Sequence, residues 1–251
     1  MDNLTKYLSM KVRAIIDVLF PRVCVCCKAI NPKGRFKLLC PDCAKSISFC
    51  TGGKCLICGE ILGTPDMPNV RGCPKCAELK IAYESALCST VYSGAIRQII
   101  HAFKYNNATY IATDIVKIAL QNPATKDFLQ NATIVPVPMH PLKKIKRGYN
   151  QTEVLAKALQ KFAPELNIKI APLLKRVQFK TTQTHLSREE RIENIKGVFA
   201  KTKFVDNVNK LEKIVILDDV MTTTATTNEC ARTLKKAGFK NIRIFTFAKR
   251  M

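Results

Sequence analysis

The chain has 251 residues, 47% of them hydrophobic, which is enough to bury a substantial core in one or two domains. No apolar run approaches the roughly 18 residues that a membrane-spanning helix needs, which argues against a protein built from such helices. The formal net charge is +22, from 41 basic and 19 acidic residues, so polyanions should be attracted in a salt-dependent manner.

The first 20 residues predict an amphipathic helix. Charged residues interrupt the apolar positions between Leu4 and Phe20, and no small-residue cleavage site follows, which is unlike a signal peptide. We therefore expect a helix that docks on its own protein and a cytoplasmic location, with peripheral association at the inner membrane as the alternative. Because the sequence predicts no secretory segment, it also disfavours disulfide bonds.

Eight of the twelve cysteines form four Cys-x-x-Cys pairs, separated by 12, 11 and 14 residues. This spacing lets two thiolates in a tight turn reach one tetrahedral metal, and a second such turn completes a four-cysteine site. We predict two structural zinc ions, with the ligands Cys24, Cys27, Cys40, Cys43, Cys55, Cys58, Cys73 and Cys76. Sequential and cross-braced pairing fit the spacing equally well, and Cys26 could replace Cys24 or Cys27. Three further cysteines are expected to be packed thiols, namely Cys50, Cys88 and Cys230.

Alternating strand and helix patterns begin near residue 85. Apolar runs predict strands at residues 86–92, 132–137, 214–217 and 241–247, and helical periodicity predicts helices at 94–103 and 108–120, after Gln151 and after Thr227. Such alternation is typical of an α/β fold. We predict an N-terminal helix over residues 1–20, a zinc-binding module over 21–85, and a domain over 86–251 with a mainly parallel sheet and helices on both faces.

The most informative stretch begins at Lys213. The apolar run Ile214–Leu217 predicts a buried strand, and Asp218 and Asp219 follow at its carboxyl end, where ligands bind in α/β sheets. Carboxylates there suit ribose hydroxyls or Mg²⁺, and hydroxyls and helix N-terminal amides suit a phosphate. The remaining residues of this predicted sugar-phosphate site are Val220, Met221, Thr222, Thr223, Thr224, Ala225, Thr226 and Thr227.

This stretch is similar to the loop of type I phosphoribosyltransferases that binds phosphoribosyl pyrophosphate (PRPP). The similarity lies in the order Ile-Val-Ile-Leu-Asp-Asp-Val-Met-Thr-Thr-x-Ala-Thr, where Thr224 takes a position that is usually glycine. If that position needs a positive φ angle, a β-branched residue there costs about 1–2 kcal/mol. The similarity therefore implies PRPP with Mg²⁺ as the ligand, and it predicts an altered or weaker phosphate loop.

A basic stretch follows the strand predicted at residues 132–137. His140, Lys143, Lys144, Lys146 and Arg147 bring five cationic or titratable groups into eight residues. Loss of pyrophosphate from a ribose needs positive charge at the departing group. We predict that Arg147, with Lys143 or Lys144, contacts pyrophosphate; a solvated basic loop is the alternative.

Residues 175–187 show no helical periodicity and predict either a lid over the site or a surface connection. Ser187 and Glu190 form a capping-box pattern, which predicts the start of a helix. On that helix Arg188 and Arg191 lie one turn apart and could reach a phosphate together.

The order of these motifs resembles the ComF family. The resemblance rests on Pro136-Val-Pro-x-His-Pro, Arg147-Gly-Tyr-Asn-Gln, Gln183, Arg188-x-x-Arg-x-x-Asn-x-x-Gly-Val-Phe and the preceding cysteine pairs. It implies a zinc module joined to a type I phosphoribosyltransferase-like domain, with Asp218, Asp219 and Arg147 as catalytic residues. It also implies a role in natural competence, in which the protein handles incoming single-stranded DNA.

Three classes of function stay open at this point. The chain is a phosphoribosyltransferase with an unknown acceptor, a non-catalytic module that binds single-stranded DNA, or a scaffold whose zinc module recruits a helicase or another uptake protein. Binding of PRPP, of DNA and of a protein partner would distinguish them.

Overall fold

The computed structural model describes residues 23–30, 35–64, 66–77, 79–105, 108–178 and 188–251. The helix predicted over residues 1–20, most of the predicted lid and Gln183 lie outside these residues. Across the described ranges, no helix has both the length and the apolar character needed to cross a bilayer.

A five-stranded parallel sheet forms the centre of the molecule, with the strand order β1-β7-β6-β2-β3. The strands are β1 Ser85–Val91, β2 Thr133–Pro136, β3 Lys169–Ile170, β4 Leu174–Arg176, β5 Phe199–Lys201, β6 Ile214–Met221 and β7 Ile242–Lys249. Strands β4 and β5 form a separate antiparallel pair, which the sequence analysis missed. Part of the segment predicted as a lid is therefore strand β4.

The helices are α1 Pro41–Lys45, α2 Pro74–Ala77, α3 Gly94–Tyr105, α4 Ala112–Ala119, α5 Pro123–Leu129, α6 Pro141–Arg147, α7 Gln151–Phe162, α8 Arg188–Ile195 and α9 Ala225–Lys236. Short 3₁₀ turns occur at Thr109–Ile111, Pro164–Leu166 and Lys203–Asn207. Helix α5 was not predicted. Its start has local causes, because Pro123 takes the first helical position and the Asn122 side chain accepts a hydrogen bond from the Ala124 amide at 3.1 Å.

Alternate residues of the strands enter two separate cores. Leu87, Ile134 and Val215 pack with α3, α4 and α7 on one face, whereas Ala86, Val135 and Ile214 pack with α9 on the other face. This arrangement confirms the predicted α/β class with a parallel sheet covered by helices on both faces. The cysteines divide in the same way, because Cys24 and Cys40 join the first core, while the second holds Cys55, Cys58, Cys73 and Cys76.

The first cysteine segment, which carries Cys24, Cys27, Cys40 and Cys43, is joined to helix α4 by Asp114, which is fully buried. The amides of Lys37 and Leu38 donate to its two carboxylate oxygens at 3.1 and 2.8 Å. A carboxylate that accepts two amide hydrogen bonds satisfies backbone groups that would otherwise be buried without partners. Asp114 therefore fixes this segment against the domain.

Replacement of Asp114 by asparagine should lower the free energy of unfolding by about 2 kcal/mol, because one of the two amides then faces an NH₂ group instead of an acceptor. Equilibrium denaturation measures this change. The exposed Asp127→Asn is the matched control and should change the stability by less than about 0.5 kcal/mol. Equal stability of the two variants would contradict the structural role of Asp114.

The second cysteine segment, which carries Cys55, Cys58, Cys73 and Cys76, is hydrogen-bonded to the edge strand β1 and to Tyr83 just before it. The Ala86 amide donates to the Leu56 carbonyl at 2.6 Å, and the Tyr83 hydroxyl donates to the Ile57 carbonyl at 2.7 Å. Gly59 has φ +71°, and a Cβ atom there would lie 2.6 Å from the Cys88 sulfur. Any larger residue at position 59 would therefore push the second cysteine segment away from the sheet.

Candidate functional site

The eight paired cysteines form two clusters in which all sulfur atoms lie within 4.8 Å of one another. The first cluster holds Cys24, Cys27, Cys40 and Cys43, and the second holds Cys55, Cys58, Cys73 and Cys76. This geometry corresponds to sequential pairing and not to the cross-braced alternative.

The sulfur geometry fits zinc. The Cys27–Cys40 and Cys58–Cys73 sulfur distances are 3.6 and 3.7 Å, and a tetrahedral zinc ion with bonds of about 2.3 Å holds its sulfurs about 3.8 Å apart. The Cys26 sulfur contacts the Ala95 carbonyl at 3.6 Å and is not part of the first cluster. Four protein ligands leave no position for a substrate, so both clusters could hold a structural zinc ion.

The two adjacent acids lie in strand β6 and not after it. Pairing with β7 continues past them, from Asp218 opposite Thr246 to Met221 opposite Lys249. The predicted strand end at Leu217 was therefore wrong, because the hydrogen bonds of a central strand continue beyond its apolar run. Asp218 keeps part of its surface exposed, whereas Asp219 is buried.

Asp219 forms an ion pair with Lys104, which lies in the last turn of helix α3. The Lys104 Nζ atom lies 2.9 Å from both carboxylate oxygens of Asp219. Burial opposes the charge on Lys104, but the carboxylate of Asp219 outweighs it, so the pKa of Lys104 is raised. Lys104 was not predicted as a residue of the site, because no local pattern shows that the end of α3 reaches β6, more than 100 residues later.

Burial, together with the Asp219 carboxylate, raises the pKa of Asp218 to about 7. Asp218 also accepts a hydrogen bond from the Asp219 amide at 2.8 Å, which favours the charged form but does not reverse the shift. At neutral pH the acid pair therefore retains part of a proton, which a bound cation would displace.

The raised pKa of Asp218 predicts a pH dependence of stability. Its unfolded value is about 3.9, so between about pH 4 and 7 the folded chain holds a proton that the unfolded chain has lost. The contribution of Asp218 to the free energy of unfolding should therefore fall as the pH rises through this window. Asp218→Asn should resemble the parent protein near pH 4 and be more stable than it at pH 8, as measured by denaturant unfolding. A difference that does not vary with pH would contradict the shift.

Lys104 also lines a basic cavity of about 380 Å³, together with Tyr105, Lys143, Lys146 and Arg147. The Arg147 guanidinium carbon lies 5.3 Å from the centre of the Tyr105 ring. Burial and the nearby charges of Arg176 and Arg147 lower the pKa of Lys143. Among the described residues, those that line this cavity include no acid, and its chemistry suits a polyanion.

The predicted pyrophosphate loop is the short helix α6. His140 accepts a hydrogen bond from the Leu142 amide at 3.2 Å and caps the start of the helix, and Gly148 ends it with φ +82°. The Lys144 Nζ lies 3.0 Å from a carboxylate oxygen of Glu153, and Lys144 is not among the residues that line the basic cavity. The structure therefore brings Lys143 and Arg147 to this cavity, adds Lys146, and places Lys144 elsewhere.

The side chains of Tyr149 and Asn150, which follow Arg147 in the motif, form hydrogen bonds that are mainly structural. The Tyr149 hydroxyl donates to the Phe103 carbonyl, and the Asn150 side chain donates to the Val137 carbonyl at 3.2 Å. These bonds join the end of α6 to α3 and to the end of β2. They fix the position from which Arg147 reaches the cavity.

The threonine-rich turn connects β6 to α9 without strain at Thr224. Its φ is −60°, in the ordinary right-handed region, so the condition for a strain cost at a β-branched residue is not met. Thr224 is buried and its carbonyl accepts a hydrogen bond from the Thr227 hydroxyl at 3.1 Å. The Met221 sulfur contacts the Cys88 sulfur at 3.9 Å, so this predicted ligand faces the core.

The other predicted phosphate-loop residues divide between the strand and the helix. Val220 lies in β6, and Ala225, Thr226 and Thr227 form the first turn of α9. Only the first three threonines of the turn, Thr222, Thr223 and Thr224, line a second cavity of about 300 Å³, which the sequence analysis did not predict.

The predicted helix that begins near Ser187 is α8. The side chains of Arg188 and Arg191 lie outside the described residues, so their proposed contact with phosphate stays a prediction. The Gly197 amide donates to the Glu229 carboxylate of α9 at 2.9 Å, and Gly197 has φ +69°. The Gly-Val-Phe part of this motif therefore joins α8 to the helix that follows the acid pair.

Comparison with known proteins adds to this geometry. No family model matches the chain. The chain is 27% identical to competence protein F of Haemophilus influenzae over 218 residues, which cover 84% of this chain and 90% of that protein. It is 26% identical to DNA utilization protein YhgH of Salmonella typhi over 215 residues, covering 82% and 88% of the two chains. It is 21% identical to competence protein ComFC of Streptococcus pneumoniae over 207 residues, covering 77% and 87%.

These alignments extend over most of the chain and over nearly the whole length of each relative. They agree with the resemblance that the motifs indicate. The names competence protein F and ComFC among these relatives support the ComF family as the one that this chain resembles.

Proposed function

We propose that the chain binds PRPP with Mg²⁺ at the carboxyl ends of β2 and β6, and that it acts in DNA uptake or DNA utilization. The names of the relatives support the second part. One observation carries the first part: Lys104 contacts Asp219 and also lines the basic cavity of α6. Acids and cations are therefore neighbours in one continuous site.

This neighbourhood matches the two chemical ends of PRPP. Ribose hydroxyls donate hydrogen bonds to carboxylates, and pyrophosphate oxygens accept them from lysine and arginine. Asp218 and Asp219 would hold the ribose hydroxyls or Mg²⁺, which would offset the negative charge of the phosphate groups. Lys143, Lys146 and Arg147 would contact pyrophosphate, and Thr222–Thr227 with the amides of α9 would bind the 5′-phosphate.

Calorimetry with PRPP tests the proposal. Binding should require Mg²⁺, and Arg147→Gln should weaken it at least about tenfold, because a charge-assisted bond of roughly 1.5 kcal/mol or more is lost. Arg243→Gln is the matched control, since Arg243 pairs with Glu84 on the surface and lines neither cavity. The absence of any binding heat or thermal shift at millimolar PRPP would overturn the proposal.

Catalysis requires an acceptor as well as PRPP. Transfer breaks the bond between ribose C1 and pyrophosphate oxygen, forms a bond from C1 to an acceptor nitrogen or oxygen, and releases the acceptor proton. Pyrophosphate release in the presence of nucleobases, nucleotides or single-stranded DNA would identify a transferase. Mg²⁺-dependent binding without release would identify a protein that uses PRPP as a ligand.

A second candidate function, binding of single-stranded DNA, is favoured by the outer face of α3. The centres of the His101 and Tyr105 rings lie 4.7 Å apart with an interplanar angle of 41°, and the Tyr105 side chain is exposed beside Arg147. Arg97 and His101 also line a cavity of about 500 Å³ that reaches Lys28 in the first cysteine segment. Exposed rings flanked by cations suit unstacked bases and the phosphates between them.

Fluorescence anisotropy with an oligothymidylate tests this surface. Tyr105→Ala should weaken binding by about tenfold, since stacking contributes roughly 1–3 kcal/mol per base. Tyr110→Ala is the matched control, because Tyr110 is similarly exposed, at 61% against 64% for Tyr105, but does not line the cavities at α6, at the outer face of α3 or beside the threonine-rich turn. Equal affinity of the parent protein at low and high salt would argue against electrostatic binding of a strand.

A further inference from the structure

The cavity beside the threonine-rich turn is built from three distant parts of the chain. Thr222–Thr224 form one wall, Lys249 and Arg250 at the end of β7 form a second, and the second cysteine segment contributes Glu60 and Lys75. Glu60 and Lys75 lie next to the second cluster in sequence, since they follow Cys58 and Cys73 by two residues each. A zinc ion held by that cluster would therefore fix both side chains at the turn.

Glu60 bridges the cations of this cavity. Its carboxylate lies 2.7 Å from the Lys75 Nζ and 3.5 Å from the Lys249 Nζ. Lys249 is only 4% exposed, and its Nζ is also near the carbonyls of Arg250, at 3.0 Å, and Thr222, at 3.4 Å. A buried ammonium needs a nearby anion, and here Glu60 supplies it.

Cationic side chains outnumber carboxylates in this cavity. Lys75, Lys249 and Arg250 share it with one carboxylate, Glu60, next to three threonines. A phosphate monoester carries up to two negative charges and offers three acceptor oxygens, so it neutralises such a group better than one carboxylate does. The cavity volume of about 300 Å³ exceeds what one phosphate group needs.

We propose that this cavity is a phosphate site gated by Glu60: a phosphate monoester displaces the Glu60 carboxylate from Lys75 and Lys249, and Lys75 of the cysteine-rich segment becomes a phosphate ligand. The proposal rests on the proposed function, in which the threonine turn binds the 5′-phosphate of PRPP. It adds that the cysteine-rich segment supplies one ligand and one competitor. Phosphate affinity therefore depends on the integrity of the second cysteine cluster.

Two substitutions with opposite expected effects test the gate. Calorimetry with inorganic phosphate and with ribose 5-phosphate should show about fivefold tighter binding to Glu60→Gln, because the competing charge is gone. Lys75→Gln should bind both ligands about fivefold more weakly. Glu84→Gln and Lys126→Gln are matched controls, since both residues form ion pairs on the exposed surface away from this cavity.

The two directions separate a gate from a general loss of structure. Unchanged phosphate affinity in Glu60→Gln, or weaker binding in both variants, would overturn the proposal. Titration of the parent protein with PRPP and Mg²⁺ distinguishes this failure from that of the proposed function. If PRPP binds and the two variants do not respond, the gate alone is wrong; if PRPP does not bind, the proposed function is wrong and the phosphate titrations still decide the gate.

Discussion

Removal of zinc is expected to unfold both cysteine segments and to destabilise the sheet domain with them. Structural zinc sites contribute about 10–16 kcal/mol of binding free energy, which becomes folding free energy when the apo site has no structure of its own. Here the clusters also belong to the two cores, one on each face of the sheet. A chelator should therefore abolish the cooperative melt of the whole chain, and release of about two zinc ions per chain should accompany it.

Single cysteine variants inside the clusters test this expectation, and variants of cysteines outside the clusters are the controls. Cys43→Ser and Cys76→Ser each remove one sulfur from a cluster and should each reduce the zinc content by one ion per chain. Cys26→Ser and Cys230→Ser change thiols outside the clusters and should retain both ions. A chain that loses two zinc ions and keeps its melting temperature would show that the clusters do not stabilise the fold.

The cysteine clusters also show what local spacing can predict. A Cys-x-x-Cys pair is a local feature, so the sequence identified all eight members. Which pairs share a cluster depends on how the chain returns to itself, and spacing alone left this open. The position of Cys26 was open for the same reason, and its contact with Ala95 of α3 decides it.

The acid pair and the basic stretch that forms α6 were identified because each lies next to a strand with a clear apolar run; that the basic stretch is helical was not predicted. The contacts that combine them were not predictable. Lys104 reaches Asp219 across 115 residues of sequence, and Glu60 reaches Lys249 across 189. Single charged residues at helix ends are common on protein surfaces, and no periodic pattern distinguishes those that enter a site.

The boundary predicted near residue 85, between the zinc-binding module and the sheet domain, follows a change in amino-acid composition. Residues on both sides of it pack in the same two cores. The segment around Phe49 runs antiparallel to β1 and bonds to it through Cys50 and Ser89 at 3.0 Å. Removal of residues 1–85 would therefore uncover an edge strand and part of both cores. Point changes in the clusters are a cleaner test of partner recruitment than deletion of the module.

Asp219→Asn is expected to weaken binding of PRPP with Mg²⁺ by about 100-fold, equivalent to roughly 2.7 kcal/mol. The amide cannot neutralise a divalent cation, and it is a poorer acceptor than a carboxylate for the ribose hydroxyls. The same change leaves the largely buried Lys104 without its partner. Loss of one member of such a pair costs about 3 kcal/mol of folding free energy. Calorimetry and denaturant unfolding measure the two effects separately.

A double variant decides whether lost binding reflects lost structure. Lys104→Met alone should destabilise the chain by about the same 3 kcal/mol, because it leaves the Asp219 carboxylate unpaired. In Asp219→Asn with Lys104→Met both charges are gone, so much of the stability should return while PRPP binding stays weak. Asp206→Asn, an exposed acid away from the site, should change neither quantity. If the double variant recovers PRPP affinity together with stability, Asp219 supports the fold of the site and is not a ligand.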